Sequence, residues 1–95
     1  MKIEFDAKKN AWNIRERGIA FTEVEAFEFD TAIRVEDTRK DYGETRVIAY
    51  GYIGSRLHVL CFKPLGKRHI RVISLRKANK REERVYEKAT QTTDG

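Results

Sequence analysis

The spacing of apolar residues changes period partway along this chain, dividing it into a helical front and a β-rich middle. In residues 7–17, Ala7, Ala11 and Ile14 recur at the interval of one helical stripe. Asp6 is suited to cap such a helix and Gly18 to end it. Thr22-Glu23-Val24-Glu25 has capping-box form and predicts a short second helix with Val24 and Phe27 facing inward. From there the period shortens. A short strand is predicted over 32–36 and a longer one over 46–53, followed by the two-residue hairpin signal Gly54-Ser55. The next strand, 56–63, ends at the predicted turn Pro64-Leu65-Gly66, and another follows over 68–75. Lys2 to Phe5 is a candidate edge strand. Asn79-Lys80-Arg81-Glu82 has the cap-plus-Glu spacing of a last helix reaching about Ala89, with Val85 and Ala89 on its inner face. The predicted class is α+β: N-terminal helices, an antiparallel meander of about four strands, then a C-terminal helix. One domain is expected over 1–89, with a polar tail over 90–95.

Composition narrows this picture. A chain of 95 residues is expected to bury roughly 60–65% of its unfolded surface, enough for one modest core. The single cysteine, Cys61, lies in an apolar run and reads as a small core residue. It cannot form an internal disulfide and argues against a cysteine-based metal cluster. The N-terminus lacks the apolar segment of a signal peptide, and no apolar run approaches the ~20 residues of a membrane span. A soluble, cytoplasmic protein without a membrane partner is expected.

Charge is distributed unevenly. From Arg46 to Arg81 the chain runs 36 residues without Asp or Glu while carrying ten Lys or Arg, and both histidines fall there. Residues 1–45 sum to −3, 46–81 to +10 and 82–95 to −2. A basic stretch without interspersed acids attracts a polyanion, with a reach of roughly 8 Å at physiological salt. The bland reading is a solvated basic surface with no partner.

Candidate chemistry concentrates in the last predicted strand and its exit, His69-Ile70-Arg71-Val72-Ile73-Ser74-Leu75-Arg76-Lys77. Alternation puts Ile70 and Val72 on one face, His69 and Arg71 on the other. Arg suits phosphate because its planar fork binds oxygens bidentately and stays charged. Ser74 and Arg76 are expected where the strand gives way to a loop, and that break in period would bring them towards Arg71. A strand that ran on regularly would turn Arg71 and Ser74 to opposite sides. Each residue also has an innocent reading: Arg71 as a solvated strand residue, Ser74 as a turn residue, His58 as a satisfied half-buried histidine. No metal-ligand spacing or glycine-rich phosphate loop is present, so no metal and no cofactor are expected. The residues alone point to a nucleic-acid-binding α+β domain.

Several segments together are similar to a known family. They are Glu4-Phe5-Asp6 with Lys9 and Asn13, Arg17-Gly18-Ile19-Ala20-Phe21, Gly43-Glu44-Thr45-Arg46, Gly51, and Ile70-Arg71-Val72-Ile73-Ser74-Leu75-Arg76-Lys77-Ala78 continued by Arg81-Glu82 and Tyr86-Glu87. In this order and spacing they resemble the BrnT toxins of type II toxin–antitoxin systems, within the RelE-like superfamily. The resemblance implies a RelE-like fold and a small metal-independent endoribonuclease that arrests growth by cleaving RNA. It also implies a BrnA-type antitoxin with a ribbon-helix-helix domain, through which alone DNA is contacted. A mechanism consistent with residues and resemblance has the RNA 2′-hydroxyl attack the adjacent phosphate. Arg71 and Arg76 would stabilise the phosphoryl oxygens, Arg46 would orient RNA, and Ser74 would donate to phosphate or orient an arginine. Glu44 is the candidate general base, a role that calls for a raised pKa. Lys9, Lys77 and Arg81 would bind backbone phosphates. The alternative is a non-catalytic basic domain that binds nucleic acid or an antitoxin.

Overall fold

A five-stranded sheet organises the structure, a computed structural model describing residues 1–91. Its strands are β1 (Lys2–Phe5), β2 (Ile33–Glu36), β3 (Val47–Ile53), β4 (Arg56–Gly66) and β5 (His69–Lys77), in the order β1-β5-β4-β3-β2. β2 to β5 form the expected antiparallel meander, and β1 joins β5 as a parallel edge. Between β1 and β2 lie α1 (Ala7–Arg17) and two 3₁₀ turns, Phe21–Ala26 and Phe29–Thr31, and α2 (Lys80–Thr90) follows β5. The α+β class read from the sequence is therefore the observed one. Of the tail predicted over 90–95, Thr90 closes α2, and 92–95 lie outside the described residues.

Strand alternation gives the sheet two unlike faces. On one, Ala49, Leu60, Phe62, Ile70, Val72 and Leu75 pack against Ile19, Phe21, Val24 and Phe27 from the segment after α1. This is the main core, and Phe21, Leu60, Val72 and Leu75 are almost completely buried. On the other face Leu57 and Val59 meet Tyr86 of α2, with Tyr50 and Tyr52 at the margin. The Tyr86 hydroxyl donates to the Thr31 carbonyl at 2.8 Å, fixing α2 against the start of β2. Gly51 lies where the Phe27 ring crosses β3. A Cβ there would sit 2.6 Å from Phe27 Cζ, closer than a carbon side chain permits.

Several local expectations are corrected by tertiary context. α1 has the predicted cap and stop, with Asp6 accepting from the Lys8 amide and Gly18 left-handed. Its Ala7, Ala11 and Ile14 stripe, however, faces outward, and Ile14 is 47% exposed. The helix instead buries Asn13, which donates to the carbonyls of Ile19 at 2.9 Å and Leu75 at 2.8 Å. Asn10 accepts from the Phe21 amide at 2.8 Å. α1 thus serves backbone groups of β5 and the following loop, and amide side chains do that where aliphatic ones cannot.

The second helix is a 3₁₀ turn whose N-terminal contact is Glu23 accepting from the Ala20 amide, two residues before the predicted Thr22 cap. Val24 and Phe27 do face inward. Pro64-Leu65-Gly66 continues β4 rather than turning. The chain has passed the end of β3, which pairs only up to Val47↔Phe62, so the missing proline N–H breaks no ladder there. In α2 the inward residue is Tyr86, while Val85 is 63% exposed and Ala89 is exposed too.

Candidate functional site

β5 continues as a strand through Arg76 to Lys77 rather than yielding to a loop. Its regularity is interrupted by a β-bulge: Val72 pairs with Phe62 and Ser74 with Cys61, leaving Ile73 without a partner in register. One extra residue moves every later side chain to the opposite face. The core positions accordingly run Ile70, Val72 and then Leu75. Arg71, Ser74 and Arg76 consequently share the face turned away from the main core. A period break is present, but its cause is a bulge within the strand and not the expected passage into a loop.

Ser74 and Arg76 line a cavity of about 290 Å³ together with Arg17, Arg39, Ile48, Tyr50, Val59, Cys61 and Glu82. Three structural elements supply its walls: the end of α1 through Arg17, the loop after β2 through Arg39, and the start of α2 through Glu82. Arg76 and Glu82 form a two-pronged pair, with Nη1 to Oε1 at 2.8 Å and Nη2 to Oε2 at 2.7 Å. Glu82 simultaneously accepts from the Asn79 amide at 2.9 Å, while Asn79 accepts from the Glu82 amide at 2.8 Å. The capping box of α2 therefore also orients Arg76. Hydrogen bonding to Arg76 holds the Glu82 carboxyl below the ordinary carboxylate range, and Glu82 in turn raises Arg76.

A second cluster stands on the same face and shares Arg39 with this cavity. Asp37, buried, is gripped by Arg39 at 2.8 and 2.9 Å and receives the Tyr42 hydroxyl at 3.1 Å. The Arg39 contact depresses its carboxyl strongly. Arg46 lies over the Tyr42 ring at 4.1 Å and donates to Glu44 at 3.0 Å, and Lys63 reaches the other oxygen of Glu44 at 3.1 Å. Arg46 first and Lys63 second pull the Glu44 carboxyl down, opposite to the raised value a general base near neutrality requires. Farther towards β1, Glu4 meets His69 at 2.6 Å and Arg71 at 3.6 Å.

The predicted site residues thus separate into groups. Ser74 and Arg76 share the cavity, whereas Glu44, Arg46 and Arg71 lie on the same face in the neighbouring ion-pair clusters. Lys9 is exposed on α1 and Lys77 at the end of β5. Arg81 borders a different, apolar groove between α2 and β2, lined by Ile33, Val35, Tyr50, Val85, Tyr86 and Ala89. His58 is buried, its Nδ1 2.8 Å from the Arg56 carbonyl, and Cys61 is buried on the cavity side. Sequence reading missed Arg17, Arg39, Tyr50 and Glu82. Arg17 and Glu82 stand in the family-like segments, and Glu82 also in the Asn79 capping box, but those signals spoke for family and helix initiation and not for the cavity. Among the described residues, no three His, Cys, Asp or Glu side chains are grouped to hold a metal ion, and no helix is long and apolar enough to cross a membrane.

Comparison with known proteins gives a family and a structural relative. Residues 5–82 match the family model described as the ribonuclease toxin, BrnT, of type II toxin–antitoxin systems. The fold is similar to the 1.1 Å crystal structure of the Brucella abortus ribonuclease toxin BrnT, with a TM-score of 0.66 and 32% sequence identity. That match covers 84% of this chain and 99% of the other. Comparison with curated protein sequences gives no match.

Proposed function

The chain belongs to the BrnT family of ribonuclease toxins of type II toxin–antitoxin systems, and from that premise we propose that it cleaves RNA in the arginine-lined cavity without a metal ion. The observation that carries this reading is the cavity itself, where the β5 bulge sets Ser74 and Arg76 beside Arg17 and Arg39. Three guanidinium groups around one pocket match the charge of a phosphodiester and its more highly charged transition state.

In the proposed reaction the RNA 2′-hydroxyl attacks the adjacent phosphorus in line. A 2′,3′-cyclic phosphate forms as the bond to the 5′-oxygen breaks. Arg76 stabilises the phosphoryl oxygens, with Ser74 donating to one of them or steadying the guanidinium. Arg17 and Arg39 hold neighbouring phosphates at the rim. Arg71 and Arg46 extend the basic track up the sheet, and Lys9, Lys77 and Arg81 bind the backbone farther out. A phosphate arriving at Arg76 competes with Glu82, which relieves the depression of the Glu82 carboxyl and frees it to take the 2′-proton. Glu44, clasped by Arg46 and Lys63 outside the cavity, positions those cations instead.

The proposed partners are an RNA substrate and a cognate BrnA-type antitoxin carrying a ribbon-helix-helix domain, with DNA reached only through their complex. The protein acts in the cytoplasm. The test is purified protein with single-stranded RNA in EDTA: cleavage to cyclic-phosphate ends is expected, and intact RNA would refute it. Glu82→Gln should slow cleavage more than Glu44→Gln, and the reverse order would return the proton-transfer role to Glu44.

A further inference from the structure

The only tryptophan of the chain, Trp12, is on the surface of α1 with 46% of its area exposed. A large aromatic ring left in water forgoes the burial that would stabilise it, so its surroundings decide whether it has a partner. The Arg17 guanidinium lies over the Trp12 ring, 5.0 Å from its centroid, and Arg17 also lines the cavity that holds Ser74 and Arg76. Arg17 Nη1 additionally donates to Asn13 Oδ1 at 3.3 Å, which fixes the side chain between ring and cavity. Trp12 is therefore one arginine removed from the pocket.

Charge identifies the kind of partner. On a helix surface the neighbours of residue 12 are at positions 8, 9, 15 and 16, here Lys8, Lys9, Arg15 and Glu16. Glu16 is already bound to Arg15 at 3.2 Å, leaving the ring framed by lysines. The apolar Ala7, Ala11 and Ile14 stripe lies on another side of the helix. An aromatic face amid cations, beside an arginine pocket, combines what single-stranded nucleic acid needs: a stacking surface and phosphate counter-charges.

We propose that Trp12 is the stacking platform for a nucleobase next to the phosphate held in the cavity. This rests on the RNA reading above. The base lies against the indole ring, and Arg17 passes from the ring to the strand's phosphate or stays as a second layer of the stack.

The experiment uses the full chain and a short single-stranded 2′-O-methyl oligoribonucleotide, which lacks the attacking hydroxyl and stays intact. Binding is followed by the anisotropy of a label on the oligonucleotide and, independently, by tryptophan emission, which reports Trp12 alone. Saturable quenching is expected, with the same midpoint as the anisotropy. Trp12→Ala, confirmed folded by circular dichroism, should bind roughly tenfold more weakly, and Trp12→Phe should recover most of the loss. Binding with unchanged emission would overturn the proposal. So would wild-type affinity in Trp12→Ala, including the case where that variant loses only affinity for a protein partner. If the wild type neither binds this oligonucleotide nor cleaves unmodified RNA, the RNA reading falls and the stacking proposal with it. Binding and cleavage with a silent Trp12 remove the stacking proposal alone.

Discussion

The two faces of this sheet are made by the same strands and hold together by different means. On the closed face, Phe21, Leu60, Val72 and Leu75 exclude water, and their contribution scales with apolar area at roughly 25 cal/mol per Å². On the open face, Arg76 with Glu82, Arg39 with Asp37, and Arg46 and Lys63 with Glu44 form a mosaic of ion pairs. Pairs that keep contact with solvent contribute little net stability, typically about 0–1 kcal/mol. What the open face gains from them is orientation: each cation is aimed before any ligand arrives. The comparison teaches that stability and chemistry are separable here, although both depend on the path of one strand, β5.

The sharpest way to test that separation is Arg76→Ala. RNA cleavage should fall roughly 10²–10³-fold, while the melting temperature changes little. Unaltered cleavage by the purified variant would remove Arg76 from the site. Gly51→Ala should do the reverse, losing about 1–3 kcal/mol in denaturant unfolding because the new methyl group meets the Phe27 ring, with cleavage per folded molecule unchanged. An unchanged unfolding midpoint would show that Phe27 yields freely.

Asn13→Leu tests whether the helix beside β5 belongs to the apolar side of the comparison. Despite adding a hydrophobic side chain at a buried position, it should cost about 1–3 kcal/mol, since the Ile19 and Leu75 carbonyls lose their donor. A stabilised variant would contradict the role given to that amide.

The smallest effect per group concerns pH. Asp37 is lowered chiefly by Arg39, Glu82 by Arg76, Glu44 by Arg46 and Glu4 by His69. A carboxyl depressed in the folded state contributes stability that is fully present above its unfolded pKa and is lost as pH falls through the folded value. The open face should therefore add its share above the ordinary values of 4.5 for Glu and 3.8 for Asp, and surrender it progressively below them. Thermal melts across an acid series should decline in that window, and Asp37→Asn should flatten the most acidic part. A melting temperature that rises on acidification would contradict these pairings.

Much of the architecture was legible because its determinants are local. The Asp6 cap, the Gly18 stop, the Gly54-Ser55 hairpin and the Asn79-Glu82 box each act within a few residues, and all four stand in the structure. The buried face of α1 was not legible. Periodicity assigns apolar residues to the inside, whereas a helix that satisfies strand carbonyls turns asparagines inward. Arg71, Ser74 and Arg76 were singled out from residue type, but their common face depends on a bulge, which is a relation between β5 and β4. Arg17, Arg39 and Glu82 meet Arg76 only after the chain has folded. No spacing within the sequence encodes that meeting.

The bulge at Ile73 also sets how this gene can tolerate changes in length. Removing the codon for residue 73 would restore strict alternation while leaving Val72 and Leu75 towards the main core and Ser74 and Arg76 towards the cavity. Such a deletion keeps every residue named in the cavity and should spare the packing, whereas one residue inserted after Ser74 would turn Leu75 towards the cavity and Arg76 towards the main core. In β5 the place and sign of an in-frame length change therefore decide its severity: the bulge residue is the one the alternation can lose, and an added residue is one it cannot absorb.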